Sequence, residues 1–268
     1  MKTKYFLNLL VLTMVLFVSM LACSRSQKQN VTLAGSTAFQ PFAEKLAEIY
    51  MASHPEISIN VQGGGSAVGI QSAVAGNADI GMADLLTLPD EAKLLTSTIV
   101  ARDGIALIVN PKNTLVALTA QQARDIFSGQ ITNWKDVGGS DAAIRVFSRE
   151  DGSGTRRSFD KLVLGTLKVS SSALFQNSNG TIREAVANDP GAIGYLSIGL
   201  VNSHVKALTY NGVAPTNSNV KKGIYPLARP IFFLTKENLK PDAKIFVDYV
   251  LSAESQKTLE EEGLISAK

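Results

Sequence analysis

Arg149-Glu150-Asp151-Gly152-Ser153-Gly154-Thr155 follows a short apolar run, Ile144 to Phe147, and opens a helical pattern from Thr155 to Leu164. A helix start exposes backbone N–H groups that carry partial positive charge and have no partner inside the helix. Gly152 and Gly154 let those groups approach a ligand closely, while Ser153, Thr155 and the Arg149 guanidinium add further donors. The stretch reads as strand, glycine turn and helix arranged round a small oxyanion.

Two more segments share this construction. Gly35-Ser36-Thr37 precedes Pro41, which suits the first turn of a helix, and then Phe42, Leu46, Ile49 and Tyr50 recur at helical spacing. Gly63-Gly64-Gly65-Ser66 precedes Val68, Ile70, Ala73 and Val74. Any one of these alone is the ordinary signature of an N-cap. Three in one chain, one of them carrying an arginine, favour an anion site.

Outward from these motifs, short apolar runs alternate with helical ones. Strands are expected at Val31 to Ala34, Ile57 to Gln62, Ile80 to Ala83, Ile105 to Asn110, Ile144 to Phe147 and Arg229 to Thr235, with a turn at Pro190-Gly191 entering another. Helices are expected at Pro41 to Ser53, Ala67 to Gly76, Thr119 to Phe127, Thr155 to Leu164, Ile182 to Ala187, Asp242 to Ser252 and Glu254 to Glu262. This alternation predicts an α/β protein with a largely parallel sheet. Ile105 to Asn110, stopped by Pro111, is the expected crossing between two lobes, the chain's last strand and helices returning to the first. The expected organisation is residues 31–110 and 223–268 in lobe one and 111–222 in lobe two, with a ligand cleft between them.

Composition fits a globular chain, 45% hydrophobic and 18% charged. Lys2 and Lys4, followed by the apolar Phe6 to Leu21, read as an export signal spanning residues 1–22. The run is shorter than the ~20 apolar residues that span a bilayer. Removing the two lysines takes the formal charge from +3 to +1, and nothing in the charge pattern points to nucleic acid. Cys23 is the only cysteine, so it forms no intramolecular disulfide. Its place after Leu21-Ala22 resembles the bacterial lipobox, with Met20 where Leu is more usual, and the polar residues 24–30 read as a tether. Acylated Cys23 would anchor the protein outside the cytoplasmic membrane, in a periplasmic or cell-surface location.

In order along the chain, the lipobox, Ala34-Gly35-Ser36-Thr37, Gly64-Gly65-Ser66, Ala78-Asp79-Ile80-Gly81-Met82-Ala83-Asp84, the Arg149 motif, Pro190-Gly191-Ala192-Ile193-Gly194-Tyr195 and Tyr225-Pro226-Leu227 resemble the phosphate-binding lipoproteins of bacterial ABC phosphate importers. The resemblance covers essentially the whole mature chain. It implies a two-lobed periplasmic-binding-protein fold of type II and a dehydrated inorganic phosphate held by hydrogen bonds. Carried over by position, Ser36, Thr37 and Ser66 donate from one lobe, and Arg149, Ser153, Gly154 and Thr155 close from the other. Arg149 is then the only formal cation on the anion. Asp84 matches the family's aspartate, which accepts a proton carried by phosphate; fully ionised sulfate has none to offer. Ala83, where relatives often have Ser, and Leu85-Leu86, where many have a polar or basic residue, depart from the pattern. The implied partners are phosphate, the importer's permease and ATPase complex, and the membrane through the lipid anchor, with the binding protein itself a monomer.

Other classes find less support. The alternative within binding proteins is another tetrahedral oxyanion, sulfate or molybdate. A serine hydrolase would need Gly-x-Ser-x-Gly and a partner histidine, but Ser153 lies in Gly-Ser-Gly and the histidines are His54, expected to cap a helix end, and His204, in a polar loop. No catalytic residue, cofactor or metal set with ligand spacing is read, and there is no phosphate loop of the Gly-Lys-Ser/Thr kind. Trp134 is expected to pack on a lobe surface.

Overall fold

In a computed structural model of the chain, residues 29–267 are described; the export segment and Cys23 lie outside them. The chain begins with β1 (Gln29–Gly35), α1 (Gln40–Ser53), β2 (Ile57–Gly64), α2 (Ser66–Ala75) and β3 (Ile80–Ala83). Then come β4 (Thr96–Val109), β5 (Ala117–Leu118), α3 (Ala120–Ser128), β6 (Arg145–Arg149) and α4 (Gly154–Phe159). β7 (Leu174–Gln176), α5 (Asn179–Ala187), β8 (Ala192–Ser197), β9 (Lys206–Ala207), β10 (Thr209–Tyr210) and α6 (Asn217–Lys221) follow. β11 (Ala228–Thr235), α7 (Pro241–Val250), α8 (Ala253–Glu261) and β12 (Ile265–Ser266) complete it.

The main sheet runs β2-β1-β3-β11-β4-β8-β6-β7. Its ends are parallel, β1 with β2 and β3, and β6 with β7 and β8. Its middle is antiparallel, β11 with β3 and β4, and β4 with β8. β4 joins the two halves: Thr96 to Gly104 pairs with β11, and Ile105 to Val109 pairs with β8. The expected crossing strand at Ile105 is therefore the second half of a longer one. Its first half begins with the partly exposed polar Thr96-Ser97-Thr98, which carries no apolar run to read.

Each half of the sheet is covered on both faces, as the period-2 alternation of strand side chains requires. On β11, Phe233 packs with Leu33, Leu46 and Phe246, whereas Leu234 packs with Ile70 and Ala83 under α2. On β4, Leu107 joins Phe127, Phe159 and Tyr195, whereas Ile108 joins Ile182 and Leu196 against α5. Phe159 and Tyr195 stack at 4.0 Å, and each such side chain contributes about 1.5–3 kcal/mol by leaving water.

Local signals set the element ends. Thr119 and Gln122 form a capping box at the start of α3, and Gly129 ends that helix at φ 83°. The helix expected from Thr155 to Leu164 divides: α4 stops at Phe159, and Asp160–Leu164 widens into a π turn in which Gly165 N donates to Asp160 O. The widened turn buries both Val163 and Leu164 beside Phe159. Trp134 is interior, 1% exposed, because its Nε1 donates to Gly191 O while the ring fills the core. The expectation of a surface role is corrected. Among the described residues no helix is long and apolar enough to cross a membrane.

Candidate functional site

The three glycine-hydroxyl helix starts meet at one place, between the halves of the sheet. Gly65, at the N-terminus of α2, has φ 88°, and a Cβ there would sit 2.9 Å from Gly152 O. Only glycine fits both the conformation and the approach. Ala67 N donates to Gly152 O at 3.1 Å, Leu86 N donates to Ser158 Oγ at 3.0 Å, and Lys161 Nζ donates to Thr87 Oγ1 at 3.1 Å. The two lobes are thus in direct hydrogen-bond contact on either side of the site.

Arg149, at the end of β6, is 2% exposed. Its Nε donates to Gln176 O at 3.1 Å, and its Nη2 donates to Asn177 O at 3.0 Å and to Thr37 Oγ1 at 3.2 Å. Its Nη1 is buried with no hydrogen-bond partner among the described residues. Burial lowers the Arg149 pKa, with Asp84 working in the opposite direction, yet a guanidinium stays charged. Thr37 Oγ1 also accepts from Asn179 Nδ2 at 3.2 Å, so both acceptor positions are filled and its proton remains to be donated. Ser36 Oγ likewise accepts from Ala38 N and Phe39 N, each at 3.2 Å, leaving a hydroxyl proton that bears on Asp84.

Asp84, just past β3 and 2% exposed, is the other centre. Ser66 Oγ donates to its Oδ1 at 2.8 Å, and Thr155 Oγ1 donates to its Oδ2 at 2.6 Å. Asp84 N donates back to Ser66 Oγ at 3.0 Å. Gly154 stands so close that a Cβ would lie 2.1 Å from Ser66 Oγ. Ser153 Oγ accepts from Arg156 N at 3.2 Å and caps α4. All eight residues singled out in the sequence, Ser36, Thr37, Ser66, Asp84, Arg149, Ser153, Gly154 and Thr155, are therefore placed on or beside one constellation. His54 lies elsewhere, with its Nδ1 3.0 Å from Tyr50 O and its ring stacked on Tyr50. Leu85 fills the apolar layer under α2 with Ala83, which accounts for the apolar residues at these two positions, whereas Leu86 lies outside that layer.

The expectation that Arg149 is the site's only cation is corrected. Arg229, near the start of β11, is fully buried, and its Nε donates to Asp84 Oδ2 at 3.1 Å. Its Nη2 lies 3.0 Å from both Asp84 Oδ2 and Asp103 Oδ2, and donates to Thr155 Oγ1 at 3.3 Å. Burial alone would raise the Asp84 pKa, but Arg229 and the hydroxyls of Thr155, Ser36 and Ser66 outweigh it and hold the carboxyl below its usual value. Asp103 has the same cation and fewer hydroxyls, and burial pushes it up to about 6. Sequence reasoning had one signal for this pair: a charged residue inside an otherwise buried strand, Asp103 in β4 and Arg229 in β11. Such groups are rarely buried unpaired.

A family model described as the PBP superfamily domain matches residues 22–254. Over 234 residues the chain is 36% identical to the phosphate-binding protein PstS of Bacillus subtilis, covering 86% of this chain and 78% of that protein. The chain belongs to the PstS family. A phosphate ABC transporter substrate-binding protein from Clostridium perfringens, solved with bound phosphate, is similar at TM-score 0.86 and 39% identity, covering 90% of this chain and all of that one. An ABC-type phosphate transport receptor from Vibrio cholerae has TM-score 0.73 and 38% identity, covering 89% of this chain and 100% of that chain. PstS-family membership accounts for the α/β, two-lobed periplasmic-binding-protein architecture.

Proposed function

We propose that this PstS-family protein captures inorganic phosphate between its lobes by hydrogen bonding and delivers it to the permease and ATPase complex of an ABC importer. The observation that carries this reading is Arg149: a buried guanidinium whose Nε and Nη2 are used within the protein and whose Nη1 is not. A buried donor without a partner costs roughly 1–3 kcal/mol, and a bound oxyanion relieves it. Thr37 supplies a free hydroxyl proton beside the guanidinium, while Gly154 and Thr155 offer the amides of the α4 start, the Ser153 amide being used on Glu150 O.

Asp84 sets which oxyanion is accepted. The hydroxyls of Ser36, Ser66 and Thr155 rotate, so each can turn its proton from Asp84 to a phosphate oxygen while Asp84 accepts the P–O–H in return. Phosphate near neutral pH carries that proton; sulfate does not. The protein is a transport binding protein, and its chemistry is recognition rather than turnover.

The rest of the reading follows the chain. Residues 1–22 direct export, residues 23–30 tether the domain, and acylated Cys23 anchors it on the extracytoplasmic side as a monomer. The first lobe, expected over 31–110, is better drawn as residues 31–104 with the C-terminal segment, and the second, expected over 111–222, as 105–227, since Ile105–Val109 pairs with β8 and Leu107 packs with Phe127. Tyr225 and Leu227 pack with Leu107 and Phe127, so the return crossing is better placed at Ala228 than at residue 223. Calorimetry of the soluble domain with phosphate and with sulfate across pH tests the function: phosphate is expected to bind and sulfate to be rejected at neutral pH. Equal binding of the two would overturn it.

A further inference from the structure

Asp103 and Arg229 are cross-strand partners on the two strands that pass between the lobes, β4 and β11. From there Arg229 reaches forward to Asp84 and to Thr155, residues of opposite lobes. One fully buried guanidinium therefore serves two buried carboxylates. The two are not served alike. Asp84 receives Nε and Nη2, and also two hydroxyl protons, from Ser66 and Thr155. Asp103 has the ionic contact at 3.0 Å but no aligned hydrogen bond to either oxygen.

We propose that Arg229 is a specificity-determining positioning residue: held on the inter-lobe strands by Asp103, it keeps Asp84 ionised and oriented as a pure acceptor, so that the site admits only an oxyanion that carries a proton. This rests on the reading of Asp84 given above and adds the group that makes that reading electrostatically sound. A carboxylate buried without a cation takes up a proton, becomes a donor, and no longer discriminates against sulfate. Arg149 faces the ligand and is shared with it, so it does not serve this purpose. The groups that face the buried pair are consistent with the division of labour. Asp84 has Arg229, Arg149, Thr155, Ser66 and Ser36 about it, whereas Asp103 has Arg229, the Ser197 hydroxyl, the Gly104 amide, Asp84 and the Tyr225 phenol. A proton that enters the trio as pH falls towards 6 accordingly goes to Asp103, away from the ligand.

The test uses the soluble domain with phosphate and sulfate as probes, and carboxyl ¹³C shifts of Asp84 from about pH 5 to about pH 8. In the wild type Asp84 is expected to stay ionised across that range. The paired substitution Arg229→Gln with Asp103→Asn removes one charge of each sign and so avoids leaving two carboxylates unpaired. It is expected to shift Asp84 upward by a unit or more and to cut the phosphate-over-sulfate preference by about tenfold or more at neutral pH. Arg229→Lys, which keeps the charge, is expected to retain most of the preference. An unchanged preference in the paired variant, or a wild-type Asp84 that titrates within the range, overturns the role of Arg229. The second readout needs no variant to fold. A wild type that does not prefer phosphate instead overturns the reading of the site itself.

Discussion

Gly154 and Asp84 belong to opposite lobes and meet so closely that no side chain fits between them. A Cβ on Gly154 would lie 2.7 Å from Asp84 Oδ1 and 2.8 Å from Asp84 O. Both atoms are held, Oδ1 by Ser66 and the carbonyl by Ser158 Oγ, so neither can give way cheaply.

Gly154→Ala should therefore act on closure and spare the fold of either lobe. Overpacking of this kind costs about 1–3 kcal/mol, which becomes about a 5- to 150-fold loss of phosphate affinity if it falls wholly on the closed state. Calorimetry and small-angle scattering would read it: weaker binding, an expanded form with phosphate present, and an unchanged melting temperature without it. Wild-type affinity in this variant would show that the lobes do not close to the contact seen here.

Arg149→Ala should weaken phosphate binding by ~2–5 kcal/mol, since the anion keeps its desolvation cost and loses a buried cation. The substitution should also lower stability, because Arg149 satisfies Gln176 O and Asn177 O in the segment leading to α5. Two orphaned carbonyls are worth about 1–3 kcal/mol each where water cannot reach them. The carbonyl contacts thus tie the arginine to the fold as well as to the anion. Binding and urea unfolding measured together would separate the effects, and a loss of affinity under tenfold would remove Arg149 from the anion's contacts.

These cases mark how far the residues could be read. Local chemistry was legible: Ile80–Ala83 as a strand, the helix after Pro41, and each glycine-hydroxyl helix start depend on neighbours a few positions away. Arg229 was not, because its meaning depends on Asp84, 145 positions distant. The same holds for Asn179, whose two contacts, with Thr37 and Ser197, join segments that only the folded sheet brings together. Pairing of β4 with β11 was hidden for a related reason: Thr96 to Thr98 forms a strand through its partner, without an apolar signature of its own.

Asp84→Asn should admit sulfate while retaining part of the phosphate affinity, because the amide can donate where the carboxylate could only accept. The fold should tolerate it, since Arg229 then faces Asp103 alone and the buried charges balance one to one. Competition calorimetry at neutral pH would decide. Continued exclusion of sulfate by this variant would assign selectivity to something other than the carboxylate.

Cys23→Ser should move the protein from the membrane fraction to the soluble extracytoplasmic fraction, with phosphate binding unchanged, because the site lies wholly within residues 36–229. A single acyl chain binds membranes only marginally, so firm anchoring requires the full lipid modification that a lipobox cysteine receives. Fractionation with and without the substitution checks it, and persistent membrane association would point to a different anchor.

Asp103→Asn tests the buried charge count through stability. Asp103 titrates at about 6 in the fold against an ordinary 3.8, so between these values the folded state holds a proton that the unfolded chain has released. Stability contributed by this group is thus greatest below about pH 4, declines as pH rises towards 6, and stays diminished above. An amide at the same place has no proton to lose, and Arg229 is left paired with Asp84. The substitution should therefore stabilise the protein by about 1–3 kcal/mol at pH 8 and have little effect at pH 4. Urea unfolding at the two pH values measures the difference. A destabilised variant at pH 8 would mean that the ionised Asp103–Arg229 contact is worth more than its burial costs.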